Sequence, residues 1–490
     1  MPSKELQQIY KHIDDHQPEH VQRLRDWIKQ PSVSNTGEGI PECAEMTRRY
    51  FQDIVGCQKT EVVDVGVTEW GAKGNPVVYA EYDAGAPKTV ILYMMYDTMP
   101  IFDVKQWRRH PYAADIIEQP PFKKVVIGRG AVNSKGPQMA MINSMNSIRA
   151  VAGKLPVNVF IIAEGDEERM SIGLRKFVHM RKDRLSKAQA MLGFGRQSAR
   201  GVAIPHNGSE GCLYIELETS GKRWGKGPYD GPIHGGYKRT VDSPAWRHIK
   251  MLSTLVDDTG NKILVDGWYD NMEGPTKADQ PLIEETLKLV NMESSARNLR
   301  IGGFIDELDT PRDMLMQALY GTSFNLDGIW GGLTEPGTAG SIMPDKVTSK
   351  HNCRYVPHQD GPDLLKKLRR HLDEHGYSDV EIRVIGDVPS LNADYNSDLS
   401  KALFRMYEQF GVQYEKLPGT GVAQMGPYWP GYLFGRDPLK LQVAMGGLGH
   451  GGRAHAIDEF FVIEGNDKVY GLAGAEKGFA TILYNFAGLN

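Results

Sequence analysis

Apolar positions recur at helical spacing in residues 17–30 (Val21, Leu24, Trp27, Ile28) and 40–55 (Met46, Tyr50, Phe51, Ile54), on either side of the turn-rich segment 31–37. Two N-terminal helices are predicted. Strand-like apolar runs follow at Val77 to Tyr82, Thr89 to Tyr96 and Val157 to Ala163, with a helical stretch from Gln138 to Ala152 between the last two. Strands interleaved with helices predict an α/β domain with a largely parallel central sheet flanked by helices. From about Gly211 the texture changes to strand 212–219, helix 244–256, strand 348–356, helix 361–376 and strand 379–385. That order reads as a small α+β domain inserted into the first. The expected boundaries are 1–210 and 388–490 for the two parts of the main domain and 211–387 for the insertion, with a last strand near Val443 and a final helix near 466–485.

A chain of 490 residues with 40% hydrophobic content supports two cores. A net charge of −4 provides no basic face in bulk, which argues against nucleic acid and favours a small-molecule partner. No run of about 18 apolar residues occurs, so no membrane association is expected, and the polar N-terminal residues predict a cytoplasmic protein. The four cysteines (Cys43, Cys57, Cys212, Cys353) lack C-x-x-C spacing and read as free buried thiols.

Chemistry enters at Glu164-Gly165-Asp166-Glu167-Glu168, directly after the apolar run 157–163. Adjacent carboxylates at the end of a buried strand are costly unless a cation or a moving proton uses them. The alternative is a solvated helix start, where acids complement the helix dipole.

Four segments in order resemble the co-catalytic zinc metallopeptidase family of carnosinases, cytosolic dipeptidases, acetylornithine deacetylase and glutamate carboxypeptidases. They are residues 92–100, 127–136, 164–168 and 449–459, and segments 328–332, 342–344 and 354–357 look like signposts of that family's lid. The resemblance implies a catalytic domain, an inserted lid/dimerisation domain and a homodimer formed through the insertion. It also implies two metal ions on five side chains. Glu167 matches the general base, Glu168 one ligand and His455 the C-terminal ligand. The other three positions differ: Met95 stands where the first His is expected, Asn133 replaces the bridging Asp, and Ala190 to Gly195 lacks the remaining acid. Thioether and amide groups are poor ligands for zinc, and two close divalent ions need bridging anionic charge. The expectation is therefore at most one divalent ion, zinc or manganese, held by Glu168, His455 and Asn133, or none.

By the same resemblance His234 is a candidate oxyanion stabiliser, and Arg354 and Asn325 are candidates for the substrate's carboxylate or carbonyl. Asp97 orients the metal-binding His in the family; here it is either satisfied by backbone donors and Thr98 or available for chemistry. Lys135 is either structural or a replacement cation. His450 could compensate as a ligand. The segment Gly419 to Pro430 departs from the serine- and glycine-rich substrate loop of the family. The expected function is hydrolysis of an amide or peptide-type C–N bond in a small amino-acid derivative, with Glu167 as base. Alternatives are a metal-independent acid/base enzyme (racemase or epimerase, lyase, isomerase) and a ligand-binding pseudoenzyme.

Overall fold

The computed structural model describes residues 2–299, 301–337, 339–419 and 429–488. The chain divides into two compact units, one of Met1–Ser209, Asn392–Leu417 and Trp429–Asn490, the other of Glu210–Leu391 and Pro418–Tyr428.

In the first unit the strands before residue 200 are β1 (Lys59–Val63), β2 (Val77–Tyr82), β3 (Thr89–Met95), β4 (Asp115–Gln119), β5 (Phe122–Ile127), β6 (Asn158–Glu164) and β7 (Ala190–Gly193). The main sheet has the order β1-β2-β6-β3-β7 followed by the strand Gln442–Met445. Pairs from β6 onward are parallel, whereas β1 and β2 join antiparallel. The sequences of β3 (TVILYMM) and β6 (NVFIIAE) are buried at every position but the first, the continuous apolar pattern of strands covered on both faces. β1 lies at the edge and exposes Lys59 and Val62, and a charged, short edge strand discourages further pairing. β4 and β5 form a second small sheet with Phe460–Glu464 and Gly451–Gly452.

Helices Gln17–Lys29, Gly136–Ala152 and Leu472–Ala487 begin and end near the expected positions, except that the last starts six residues later than the pattern predicted. A helix at Lys4–Asp15 was not expected. Its only buried residues are Leu6, Ile9 and Ile13, and it is N-capped by Ser3, whose Oγ accepts from Leu6 N at 3.2 Å. The helix expected at 40–55 is α-helical to Arg49 and continues as a wider π turn over Tyr50–Val55. Three helices are locked by one buried carboxylate: Glu476 accepts from Gln17 Nε2, His20 Nδ1 and Asn143 Nδ2, each at 2.9 Å.

The second unit is a four-stranded antiparallel sheet in the order Ser323–Trp330, Lys346–Tyr355, Gly211–Ser220, Glu381–Val388. Its inner face (Leu213, Ile215, Leu217, Cys353, Tyr355) shares a core with Leu364, Leu368 and Leu372 of the helix Gly361–Glu374, whose apolar spacing matches one helix face. All four cysteines are buried and free. Among the described residues no helix is long and apolar enough to cross a membrane.

Parallel pairing sets one edge of the main sheet apart. Met95 is opposite Glu164, and Gly193 is opposite both Tyr93 and Met445. The segments leaving β3, β6, β7 and Gln442–Met445 therefore emerge side by side at their C-terminal ends, where open parallel sheets place their sites.

Glu476→Ala strips three donors, two of them buried, of their acceptor. It should cost about 3 kcal/mol of unfolding free energy, read as a lower urea midpoint. A change within about 0.5 kcal/mol would remove this carboxylate from the helix-locking role.

Candidate active site

Asp97, two residues beyond β3, is fully buried. Its carboxylate accepts the backbone N–H of Glu167 at 3.3 Å and of Glu168 at 3.0 Å, so it lies beneath the short 3-10 turn Glu167–Arg169 and fixes where both glutamates start. Thr98 instead turns its hydroxyl toward Ser32 O at 3.4 Å. Burial, and then the charge of Glu168, push Asp97 up to about 8.

The other acids of the run are held differently. Glu164 is buried, and its Oε1 accepts from Tyr93 Oη at 2.7 Å and Ser171 Oγ at 2.9 Å. Asp166 accepts from Asn75 N at 2.6 Å and from Arg169 at 3.0 Å. Glu168 Oε1 accepts from Asn133 Nδ2 at 2.8 Å and lies 2.9 Å from His455 Nε2. Glu167 is half-buried, and its carboxylate has no hydrogen-bond partner among the described residues. Burial first, and then the charges of Glu168, Asp97 and Glu164, raise its pKa well above the ordinary value.

Asn133 is oriented from both ends. Its backbone N–H donates to Glu459 Oε1 at 2.8 Å, and its Oδ1 accepts from Ser134 Oγ at 2.9 Å. The amide nitrogen therefore faces Glu168 and lies 2.9 Å from His455 Nε2. The three side chains proposed from sequence as metal ligands thus meet, Asn133 donating to Glu168 and His455 Nε2 lying within 2.9 Å of both. His455 sits at φ 63, a left-handed conformation that β-carbon-bearing residues adopt at a cost. Its hydrogen bond to Glu168 raises its pKa.

Two residues that the sequence reading left unassigned organise this region. Glu459 is buried and accepts from Arg129 Nη1 at 2.7 Å and from the backbone N–H groups of Gly130, Val132 and Asn133 at 2.8–3.1 Å. Arg129 also donates to His455 O at 3.3 Å. Both lie inside the quoted motif segments, and a buried Arg–Glu pair is a signal only once burial is known.

Met95 is buried, its backbone N–H donating to Gln138 Oε1 at 3.1 Å and its sulfur lying 3.6 Å from Ser134 Oγ. Lys135 is buried with its ammonium on the carbonyls of Trp27 (2.9 Å) and Gln30 (2.7 Å), at the C-terminal end of the helix Gln17–Lys29. His450 Nδ1 lies 2.9 Å from Gln197 O, with its ring beside Phe122 and Phe460. Among the described residues no group of three or more His, Cys, Asp or Glu side chains is arranged to hold a metal ion.

His234, Asn325 and Arg354 belong to the second unit. His234 is exposed, and its Nδ1 accepts from Gly236 N at 3.1 Å. Asn325 donates to Asp327 at 2.5 Å. Arg354 pairs with Glu210 at 2.7 Å and donates to Asn352 Oδ1 at 3.3 Å. Most of the expected substrate loop, residues 420–428, lies outside the described residues.

A family model described as peptidase family M20/M25/M40 matches residues 91–470. The chain is similar to the Beta-Ala-His dipeptidase of Homo sapiens, 28% identical over 393 residues that cover 76% of this chain and 72% of the relative. It is also similar to the Cys-Gly metallodipeptidase DUG1 of Candida albicans, 26% identical over 377 residues covering 75% of each. Among solved structures, an M20 family metallo-carboxypeptidase from Sulfolobus solfataricus superposes with a TM-score of 0.81 at 26% identity, covering 96% of this chain and all of that one.

The raised acids make stability pH-dependent. Between its unfolded value of 3.8 and about 8, Asp97 keeps a proton in the folded chain that the unfolded chain releases, so stability falls as pH rises through that window. Glu164, raised mainly by burial, acts in the same sense. The raised His455 adds stabilisation that is also lost on the alkaline side. The urea midpoint should drop from about pH 6 to about pH 8, and Asp97→Asn should flatten the slope by up to ~1.4 kcal/mol per pH unit. An unchanged slope would exclude Asp97 as its source.

Proposed function

Because this chain belongs to peptidase family M20/M25/M40, we propose that it hydrolyses an amide or peptide C–N bond in a small amino-acid-derived substrate, with Glu167 as general base. The observation that carries this is the state of Glu167. It alone among the clustered carboxylates lacks a hydrogen-bond partner among the described residues, and its raised proton affinity favours taking a proton from water. Asp97 positions it through the backbone, and Glu168 adds the neighbouring charge that tunes it.

The residues present do not fit two metal ions. A dinuclear centre needs anionic donors shared between the ions. Here the bridging position presents an amide N–H to Glu168 beside His455, and Met95 directs its sulfur to Ser134. Glu168 and His455 are two good donors where zinc ordinarily takes at least three protein ligands. We read the site as holding at most one weakly bound ion, and no step of the reaction is routed through it.

The same donor set supports a second reading, a metal-independent enzyme moving a proton at an activated carbon. Exchange of a substrate α-hydrogen in D2O without C–N cleavage would favour that reading.

The second unit supports self-association. Its edge strand Ser323–Trp330 exposes Leu326, Ile329 and Trp330, and an uncovered apolar edge suits pairing with a second copy. Light scattering should give a dimer for the wild type and a monomer for Leu326→Lys/Ile329→Lys; a monomeric wild type removes this expectation.

Dipeptides including β-Ala-His and Cys-Gly are the first substrates to assay, because the relatives are named for them. On any substrate cleaved, Glu167→Gln should lower kcat by about 10²–10⁴-fold with the melting temperature maintained. Near-normal turnover by the variant would exclude Glu167 as the base. Elemental analysis of the purified chain should find less than about one metal ion per chain, whereas two retained zinc ions would overturn the reading of the ligand set.

A further inference from the structure

The loop that carries Glu167 leaves β6 at Glu164 and ends at Ser171, where the helix Ile172–Leu185 begins. Its start is held by Asn75, which donates from its side chain to Gly165 O at 2.8 Å and from its backbone N–H to Asp166 Oδ2 at 2.6 Å. Its middle is the turn Glu167–Arg169 over Asp97. Its end is strained: Met170 (φ 67, ψ 24) and Ser171 (φ 52, ψ 34) are consecutive left-handed residues, both buried. Residues with a β-carbon adopt that conformation at a cost and keep it only where the surrounding bonds hold them there.

Ser171 stands at the N-cap position of its helix, where a serine ordinarily has an extended backbone and a side-chain oxygen that accepts from the first N–H groups. It does neither. Its Oγ donates instead to Glu164 Oε1 at 2.9 Å, tying the last residue of the loop to the first across seven positions. The backbone follows the same closure: Ser171 N donates to Asp166 O at 2.8 Å, Arg169 N to the same oxygen at 2.9 Å, and Met170 N to Glu167 O at 3.2 Å. Glu164 is fixed from its other side by Tyr93 of β3, whose Oη donates to the same Oε1 at 2.7 Å. A serine that gives up a stabilising cap to close a strained loop is the kind of local departure expected where geometry serves chemistry.

We propose that Ser171, through its bond to Glu164, is a positioning residue for Glu167. The link closes the loop, holds the two left-handed residues, and so fixes the backbone from which the Glu167 carboxylate projects. The proposal rests on the reading of Glu167 as the base and adds to Asp97, which holds the turn from below, a second clamp at its far end.

Hydrogen–deuterium exchange of the full chain, followed in peptides covering residues 166–172, tests the link without turnover. Ser171→Ala should speed exchange of the backbone N–H groups of residues 169–171 at least ~10-fold. Tyr93→Phe removes the other donor from the same oxygen and is the control for a merely structural loss. It should leave those rates within about 3-fold of the wild type, as should Glu164→Gln, which keeps an oxygen for both hydroxyls. On any substrate cleaved, Ser171→Ala should lower kcat at least ~10-fold with KM within about 2-fold, and Tyr93→Phe should lower kcat less. Unchanged exchange in Ser171→Ala, equal acceleration in Tyr93→Phe, or faster exchange with an unaltered kcat would each overturn the assignment. Exchange that quickens only on loss of the Ser171 hydroxyl, in a chain that cleaves no amide, would support the loop closure while sinking the hydrolase reading.

Discussion

Five carboxylates crowded at the ends of two neighbouring strands constrain everything around them. Asp97 follows β3, and Glu164 to Glu168 close β6. Charge of one sign in a poorly solvated place costs several kcal/mol per group unless it is bonded, paired or protonated. The chain answers each case separately. Asp97 takes two backbone N–H groups, Glu164 two hydroxyls, Asp166 a guanidinium and Glu168 an amide with an imidazole. Glu167 is left with none, so burial and neighbouring charge express themselves there as proton affinity.

The same constraint accounts for a neutral residue at position 133. Glu459 grips the backbone of this loop and Ser134 fixes the amide oxygen, so whatever stands at 133 presents its second terminal atom to Glu168 at 2.8 Å. A carboxylate in that orientation would place oxygen against oxygen, tolerable only with a cation or a proton between them. The amide N–H supplies attraction without added charge. Asn133 and the missing acid after β7 are thus linked: with few anionic donors left to hold an ion, a hydrogen-bond donor stabilises Glu168 in its place.

Much of the fold was legible because its central strands are apolar throughout and its helices are amphipathic. The runs at 77–82, 89–96 and 157–163 became β2, β3 and β6 with at most a one-residue change. Elements with few buried positions, such as Lys4–Asp15, or with only four residues, such as β7, leave too little periodicity to read. At the site, the family resemblance pointed to Glu167, Glu168, Asn133 and His455 together. It could not tell which polar groups were already engaged. Lys135 illustrates the difference: the sequence left it either structural or a replacement cation, and the fold places it on the carbonyls that end the helix Gln17–Lys29, where the helix dipole favours an ammonium.

That engagement of cations decides what Glu167 can do. The ionisable groups that act on it are Glu168, Asp97 and Glu164, all acidic, while Arg129 is held by Glu459 and Arg169 by Asp166. A carboxylate surrounded by its own kind binds a proton more tightly than it could in water, and it gains no help in stabilising a negative charge that develops beside it. The local electrostatics therefore favour proton abstraction at Glu167 and require the developing oxyanion to be stabilised by groups outside the acidic cluster. A base with strong proton affinity and an electrophilic group supplied from elsewhere are the two halves that any amide-cleaving chemistry on this scaffold must bring together.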